Sequence, residues 1–349
     1  MEGNQGRKPR VAVIGCGAWG RNLVRNFHSL GVLEAVSDPH RETTATLAQQ
    51  YGVRVLDSSD AVSDPRVDCL AIATQPSRHF ALAKEALQAG KHVFVEKPLT
   101  LCLREAEELV ELAQARGLCL MTGHVLQYHP AFIRLRELVH GGRLGRLLHI
   151  HANRLNLGVI RREEDVLWCL GPHDLSMILS LVGSEPLDIE AIGAHHFREN
   201  IADAVTLHLR FANGVQAQVC LSWLHPFKEH RLTVIGTEAM AVFHDCQPWE
   251  SKLTVYRHQI ALGDPPVITR AELQPIEVAP AEPLAAECQH FVDCVETGSQ
   301  PLTGGAESLR VMGVLARASD AMRRPGGSSR NAVYGATEPI ALSLSLAES

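Results

Sequence analysis

No apolar run in this sequence approaches the ~20 residues that a helix needs to cross a bilayer, so no membrane span is expected. The nine cysteines include no CxxC pair. Their odd number and wide scatter argue against a disulfide framework and against a zinc site, and point to a reducing cytoplasm. Basic residues are not in excess: the net charge is −6, which disfavours a broad nucleic-acid-binding surface. The stretch Met1 to Arg10 is polar and basic with no apolar core, so it does not read as a secretory signal. HExxH and clustered Cys/His spacings are missing, so no metal is expected. Internal repeats are missing too.

What is present is alternation. Short apolar runs at Val11–Ile14, Leu33–Ser37, Cys69–Ala73, His92–Val95 and Cys119–Thr122 read as buried parallel strands. Helical patterns lie between them, near Trp19–Leu30, Arg41–Tyr51, Ser77–Ala89 and Leu103–Arg116. Gly31, Gly52, Gly90 and Gly117 sit where those helices should stop. The expected fold is α/β, with residues 1–125 forming a doubly wound parallel sheet of Rossmann type. The pattern then changes. Helices are expected near Pro130–Val139 and His173–Leu181, and a strand near Leu147–Arg154. Val205, Leu207, Leu209 and Phe211 alternate with polar residues, Asn213-Gly214 supplies a turn, and Val215 to Trp223 alternate on the return. Further strands near Arg231–Ile235 and Ala239–Phe243 and helices near Ala285–Thr297 and Ala306–Arg323 complete an α+β domain over 126–324, with a large, mostly antiparallel open sheet. Residues 325–349, rich in Gly, Ser, Asn and Ala, read as a loose tail.

The segment Gly15-Cys16-Gly17-Ala18-Trp19-Gly20 joins the first strand to the first helix. In a GxGxxG turn the first glycine makes the bend, the second admits a pyrophosphate against the backbone, and the third lets helix and strand pack closely. Asp38 ends the second strand, 18 residues after Gly20. A carboxylate there accepts from a ribose 2′-hydroxyl and repels a 2′-phosphate, which favours NAD over NADP, although Arg41 nearby softens the discrimination. Lys97, in His92-Val-Phe-Val-Glu96-Lys97-Pro98, stands at the carboxyl end of a buried strand, where ligands of open α/β sheets bind. On position alone it is solvated, paired with Glu96 or aimed at substrate.

The glycine turn, Thr74-Gln75-Pro76 with His79, Glu96-Lys97-Pro98 and the later His173 together resemble the Gfo/Idh/MocA oxidoreductase family over nearly the whole chain up to the tail. The resemblance implies that Lys97 and His173 flank the sugar hydroxyl being oxidised, with His173 as general base. It also implies that Gly15, Gly17, Ala18, Trp19, Gly20, Asp38, Thr74, Pro76, His79, Glu96 and Lys97 make the NAD site. It further implies a homodimer or homotetramer built on the open sheet. The hairpin's polar face (Thr206, His208, Gln216, Gln218) suits a wet interface or plain solvent. One position departs from the family's D-x-G-x-H pattern: Cys169 stands where an Asp is usual, and Asp174 is about 100° round the helix from His173.

A second block runs through Asn153-Arg154-Leu155-Asn156-Leu157-Gly158, Arg161-Arg162, Trp168 and Gly171-Pro172-His173-Asp174. With Ala18 to Phe27 and Gly123-His124-x3-Tyr128-His129-Pro130-Ala131, it is similar to the subgroup that oxidises C3 of UDP-N-acetylglucosamine and passes the 3-keto sugar to a partner aminotransferase. Arg154, Arg161 and Arg162 are candidates for the diphosphate, Asn156 for sugar hydroxyls or the acetamido group, and Trp168 for ring stacking or the nicotinamide pocket. The arginine pair on a solvated loop is the plainer alternative. Rival functions are a keto-sugar reductase, a free-sugar or inositol dehydrogenase, an NAD-dependent glycosidase and a non-catalytic NAD-binding regulator.

Overall fold

The computed structural model describes residues 8–324 and the backbone of residues 328–329; the rest of the expected tail, 325–349, lies outside the described residues. The first unit contains β1 (Val11–Ile14), α1 (Gly20–Ser29), β2 (Leu33–Ser37), α2 (Arg41–Tyr51), β3 (Arg54–Val55), α3 (Ser58–Ser63), β4 (Cys69–Ile72), α4 (His79–Gln88), β5 (His92–Glu96), α5 (Leu103–Arg116) and β6 (Leu120–Gly123). All six strands are parallel, in the order β3-β2-β1-β4-β5-β6. Every side chain of β1 and β4 is buried, which is why both read as unbroken apolar runs. Gly31, Gly52, Gly90 and Gly117 all have φ between 63° and 78°, the left-handed stop expected at those helix ends. The sequence reading missed β3 and α3, which are too short to show a period.

The second unit contains α6 (Pro130–His140), β7 (Leu147–Leu157), α7 (Val166–Val182), β8 (Pro186–Ala194), β9 (Ala204–Phe211), β10 (Gln216–Ser222), β11 (Leu224–Gly236), β12 (Met240–His244) and β13 (Leu253–Tyr256). A small ribbon, β14 (Gln259–Ala261) with β15 (Val267–Thr269), precedes β16 (Leu273–Pro275), α8 (Pro283–Thr297) and α9 (Gly305–Arg323). The nine-stranded sheet runs β16-β13-β12-β11-β7-β10-β9-β8, with residues 328–329 at its far edge, and is mostly antiparallel. The hairpin has the expected register: Val205 faces Leu221, Leu207 faces Val219 and Leu209 faces Ala217. All six are buried on the face covered by α7 and α9, while His208 opposite Gln218 points the other way.

The sequence reading did not include β8, β13 or β14 to β16, and two helix features were not foreseen either. First, α7 begins at Val166, seven residues before the expected start at His173. Asp165 caps it by accepting from Trp168 N at 3.1 Å. Pro172 lies inside the helix. Second, α8 returns to the parallel sheet. Phe291 packs edge-on against Phe94 at 5.8 Å and Phe27 at 6.3 Å, in one cluster with Leu284 and Cys288. Such aromatic pairs contribute about 0.5–1.5 kcal/mol each beyond area burial.

Candidate active site

The glycine turn is built by close approach. A Cβ on Gly20 would lie 1.9 Å from the Gly15 carbonyl oxygen, and one on Gly15 (φ +93°) would lie 2.6 Å from the Ala73 carbonyl. Above Gly17, by contrast, the space is open, with no atom within 4 Å. Helix α1 begins three residues on, at Gly20, with no side-chain cap and no acid in its first turn. This fits a pyrophosphate, whose charge the helix N-terminus favours. Asp38 Oδ2 accepts from Cys16 N at 2.7 Å and Oδ1 from His40 N at 2.9 Å. The carboxylate thus pins the turn as well as lining the cleft.

That cleft holds about 660 Å³ and is walled by Gly15, Gly17, Asp38, Thr74 and Pro76 on one side and Val159 to Glu164 on the other. Arg161 and Arg162 therefore stand on the dinucleotide side. Ser77 Oγ donates to Glu163 Oε2 at 2.7 Å across the same cleft. Glu164 is buried beside Lys97, and burial pushes its carboxyl pKa up.

Deeper in, Lys97 leaves the end of β5 and its Nζ donates to the Cys169 carbonyl oxygen at 2.9 Å. Pro172 has no N–H to offer the Trp168 carbonyl, so hydrogen bonding is loosened in this turn of α7. The backbone at Cys169 thus holds Lys97, a contact that does not depend on the side chain there. Trp19 Nε1 donates to Glu96 Oε1. Burial, the largest effect, pushes the Glu96 carboxyl up to about 7 despite the Trp19 bond and Lys97. His79 is buried between the Pro98 carbonyl (2.8 Å from Nδ1) and the Thr74 carbonyl (3.1 Å from Nε2). Burial holds its ring pKa down, so the neutral ring donates to one of them. His79 ties two loops together behind the cleft and does not line it.

His173 lies mid-helix on α7 and its Nδ1 is buried with no partner. Burial, then Lys97 and Arg154, hold its pKa well below the ordinary value. Arg154 and Asp174 form a buried bidentate pair, Nε to Oδ2 at 2.5 Å and Nη2 to Oδ1 at 3.1 Å. Arg154 Nη1 also lies 3.3 Å from His230 Nδ1. His230 is pushed down to about 3 by burial and by Arg154. Arg154 was expected on a sugar diphosphate, but it is held by Asp174 beside His173. Trp168 is drawn the other way, its Nε1 donating to Ser319 Oγ on α9 at 2.9 Å. Asn156 Oδ1 is buried without a partner, 2.8 Å from where a Cβ on Gly158 would sit. Lys97, His173 and Arg154 thus converge where the two units meet.

Residues 9–124 match the family model described as "Oxidoreductase family, NAD-binding Rossmann fold", and residues 132–242 match "GFO/IDH/MocA C-terminal domain". The chain belongs to the GFO/IDH/MocA oxidoreductase family. It is 31% identical over 304 residues to the UDP-N-acetylglucosamine 3-dehydrogenase of Acidithiobacillus ferrooxidans, covering 87% of this chain and 94% of that protein. A solved structure of that dehydrogenase superposes with a TM-score of 0.78 at 28% identity, over 89% of this chain and 97% of the other. The chain is also 26% identical to the scyllo-inositol 2-dehydrogenase (NAD(+)) of Bacillus subtilis, over 84% of this chain and 88% of that one.

Within this GFO/IDH/MocA fold the sequence reading missed four titratable groups. His230 arrives from β11, and His124 follows β6. Glu287 on α8 is fully buried, with neither carboxylate oxygen hydrogen-bonded. Glu307 on α9 pairs with His124. Only His124 had a sequence signal, in the Gly123-His124 segment. Burial, then Glu96 and Glu307, push the Glu287 carboxyl well above its usual range. The folded state therefore keeps a proton that the unfolded chain loses above the ordinary carboxyl pKa. Over that window stability falls as pH rises, by at most about 1.4 kcal/mol per pH unit. Glu287→Gln should flatten the decline of Tm between pH 5 and 8; an unchanged slope by calorimetry rejects this.

Proposed function

We propose that this oxidoreductase uses NAD to oxidise a nucleotide-sugar hydroxyl, C3 of UDP-N-acetylglucosamine, to the 3-keto sugar. The observation that carries this reading is the meeting of the Lys97 ammonium and the His173 imidazole at the inner end of the dinucleotide cleft. NAD, when bound, supplies the hydride acceptor. His173 accepts the hydroxyl proton, since burial and neighbouring cations keep its ring neutral and ready to do so. Lys97, aimed by the Cys169 carbonyl, stabilises negative charge growing on the substrate oxygen. Arg161 and Arg162 face the cleft from the second unit and are the remaining cations for a diphosphate. The similarity to UDP-N-acetylglucosamine 3-dehydrogenase supports the choice of sugar. A sugar aminotransferase consuming the product and assembly of the chain as a homodimer or homotetramer belong to the same reading.

A free polyol is the second reading, favoured by the commitment of Arg154 to Asp174. The test is NADH absorbance with UDP-N-acetylglucosamine, UDP-glucose and myo-inositol, each with the keto product trapped. Turnover of inositol alone would reject the nucleotide sugar. For the cofactor, Asp38 places negative charge where a 2′-phosphate would sit, which favours NAD over NADP. Asp38→Ala should weaken NAD about tenfold and narrow its preference over NADP. Intact preference in fluorescence titration would remove Asp38 from that role.

A further inference from the structure

Alcohol oxidation leaves one proton behind for each hydride removed, and His173 is badly placed to keep it. Lys97 and Arg154 stand close, and its Nδ1 has no partner. A second imidazole lies nearby. His124 is 3% exposed, and its Nδ1 is 2.6 Å from Glu307 Oε2. Ser176 Oγ donates to Glu307 Oε1 at 2.6 Å and accepts from Gln127 Nε2 at 2.8 Å. Arg136 Nη1 in turn donates to Gln127 Oε1 at 2.8 Å. Ser176 follows His173 by three residues on α7, so the two share a helix face. His124 follows Gly123, which pairs with Glu96 at the end of β5, so it stands beside the strand end that carries Lys97. Its Nε2 has no hydrogen-bond partner among the described residues. Glu307 and Ser176 also line a separate cavity of about 420 Å³, which shares no wall residue with the dinucleotide cleft.

We propose that His124 and Glu307 form the proton outlet of this site, leading to the cavity behind α9. This rests on the Lys97–His173 reading above. The C–H electron pair leaves with its hydrogen as hydride to the bound nicotinamide cofactor. The O–H proton passes to His173, from there to His124, and Glu307 delivers it to water in the rear cavity. One hydride and one proton leave the alcohol, and each histidine ends in the protonation state in which it began. The carboxylate is what distinguishes the two rings: His124 Nδ1 is 2.6 Å from Glu307 Oε2, whereas His173 Nδ1 has no partner and stands near Lys97 and Arg154. The other acids facing this point, Glu96 and Glu287, are coupled to the same cluster. The exit lies away from the cofactor cleft, so the proton leaves without cofactor release.

Glu307→Gln keeps the side-chain length and removes the charge. It should lower kcat about tenfold or more while leaving dissociation constants for NAD and sugar near wild type. Glu307→Ala should regain rate with added formate or acetate, and the rescued rate should rise with the basicity of the carboxylate, a dependence that repaired packing does not give. Unchanged kcat in Glu307→Gln, or rescue indifferent to basicity, overturns the proposal. Variants are compared with wild type on whichever hydroxyl the enzyme oxidises, so a wrong sugar rejects the substrate reading and leaves the ratio intact. Without any substrate, ring-nitrogen NMR of the full chain should show the His124 proton position changing in Glu307→Gln, with His28 at the surface unmoved. An unmoved His124 also overturns the proposal.

Discussion

Lys97→Ala is expected to lower kcat and kcat/KM together by about 10²–10³-fold, the usual effect of removing one donor aimed at a developing oxyanion. NAD should still bind, because the glycine turn, Asp38 and the start of α1 do not touch this side chain. The variant also reports on His173. Lys97 is the largest charge holding the His173 pKa down, after burial. Its removal lets the ring protonate at higher pH. Residual oxidation in Lys97→Met should therefore fall off at higher pH, on the acid side of the profile, than in wild type. Stopped-flow NADH formation across pH measures both effects. Wild-type turnover in Lys97→Ala would remove the lysine from the mechanism.

Asp174→Leu is expected to be the most destabilising single change at the site. It leaves the Arg154 guanidinium buried without its bidentate partner, beside His173 and His230. Breaking a buried pair in this way costs about 3–5 kcal/mol. The double variant Arg154→Met/Asp174→Leu should recover most of it, since apolar side chains of similar volume replace such pairs at little loss. Thermal unfolding of the two variants against wild type checks this. Equal Tm for the single and double variants would mean that the lost interaction is not the ion pair.

At Cys169 the structure shows a main-chain contact. A thiol cannot act as the carboxylate usual at that position, yet the contact made there is from Lys97 Nζ to the main-chain carbonyl, which any residue supplies. Pro172, three residues after Cys169, removes one N–H from that turn of helix α7.

Local pattern carried the parallel sheet. Its strands are buried on both faces and read as apolar runs, and positive φ stopped the helices at glycine. The hairpin register followed from alternation around Asn213-Gly214. Helix α7 was expected only from His173, but it starts at Val166 and runs through Pro172, packed into the core on both sides of it. Trp168 was placed at the site on chemistry, but its indole N–H is claimed by Ser319, far along the chain.

The sequence by itself determined the glycine turn and the placing of Asp38 and Lys97 at strand ends, because each belongs to a short local motif whose geometry is set by its neighbours; His173 was singled out by the family resemblance and by no local pattern. Only the tertiary structure decided what surrounds them. Arg154 is paired with Asp174, and Glu287 from α8, Glu307 from α9 and His124 just after β6 gather into one cluster. Those contacts join residues up to 183 positions apart. Their ionisation depends on burial and distance, which no local spacing encodes.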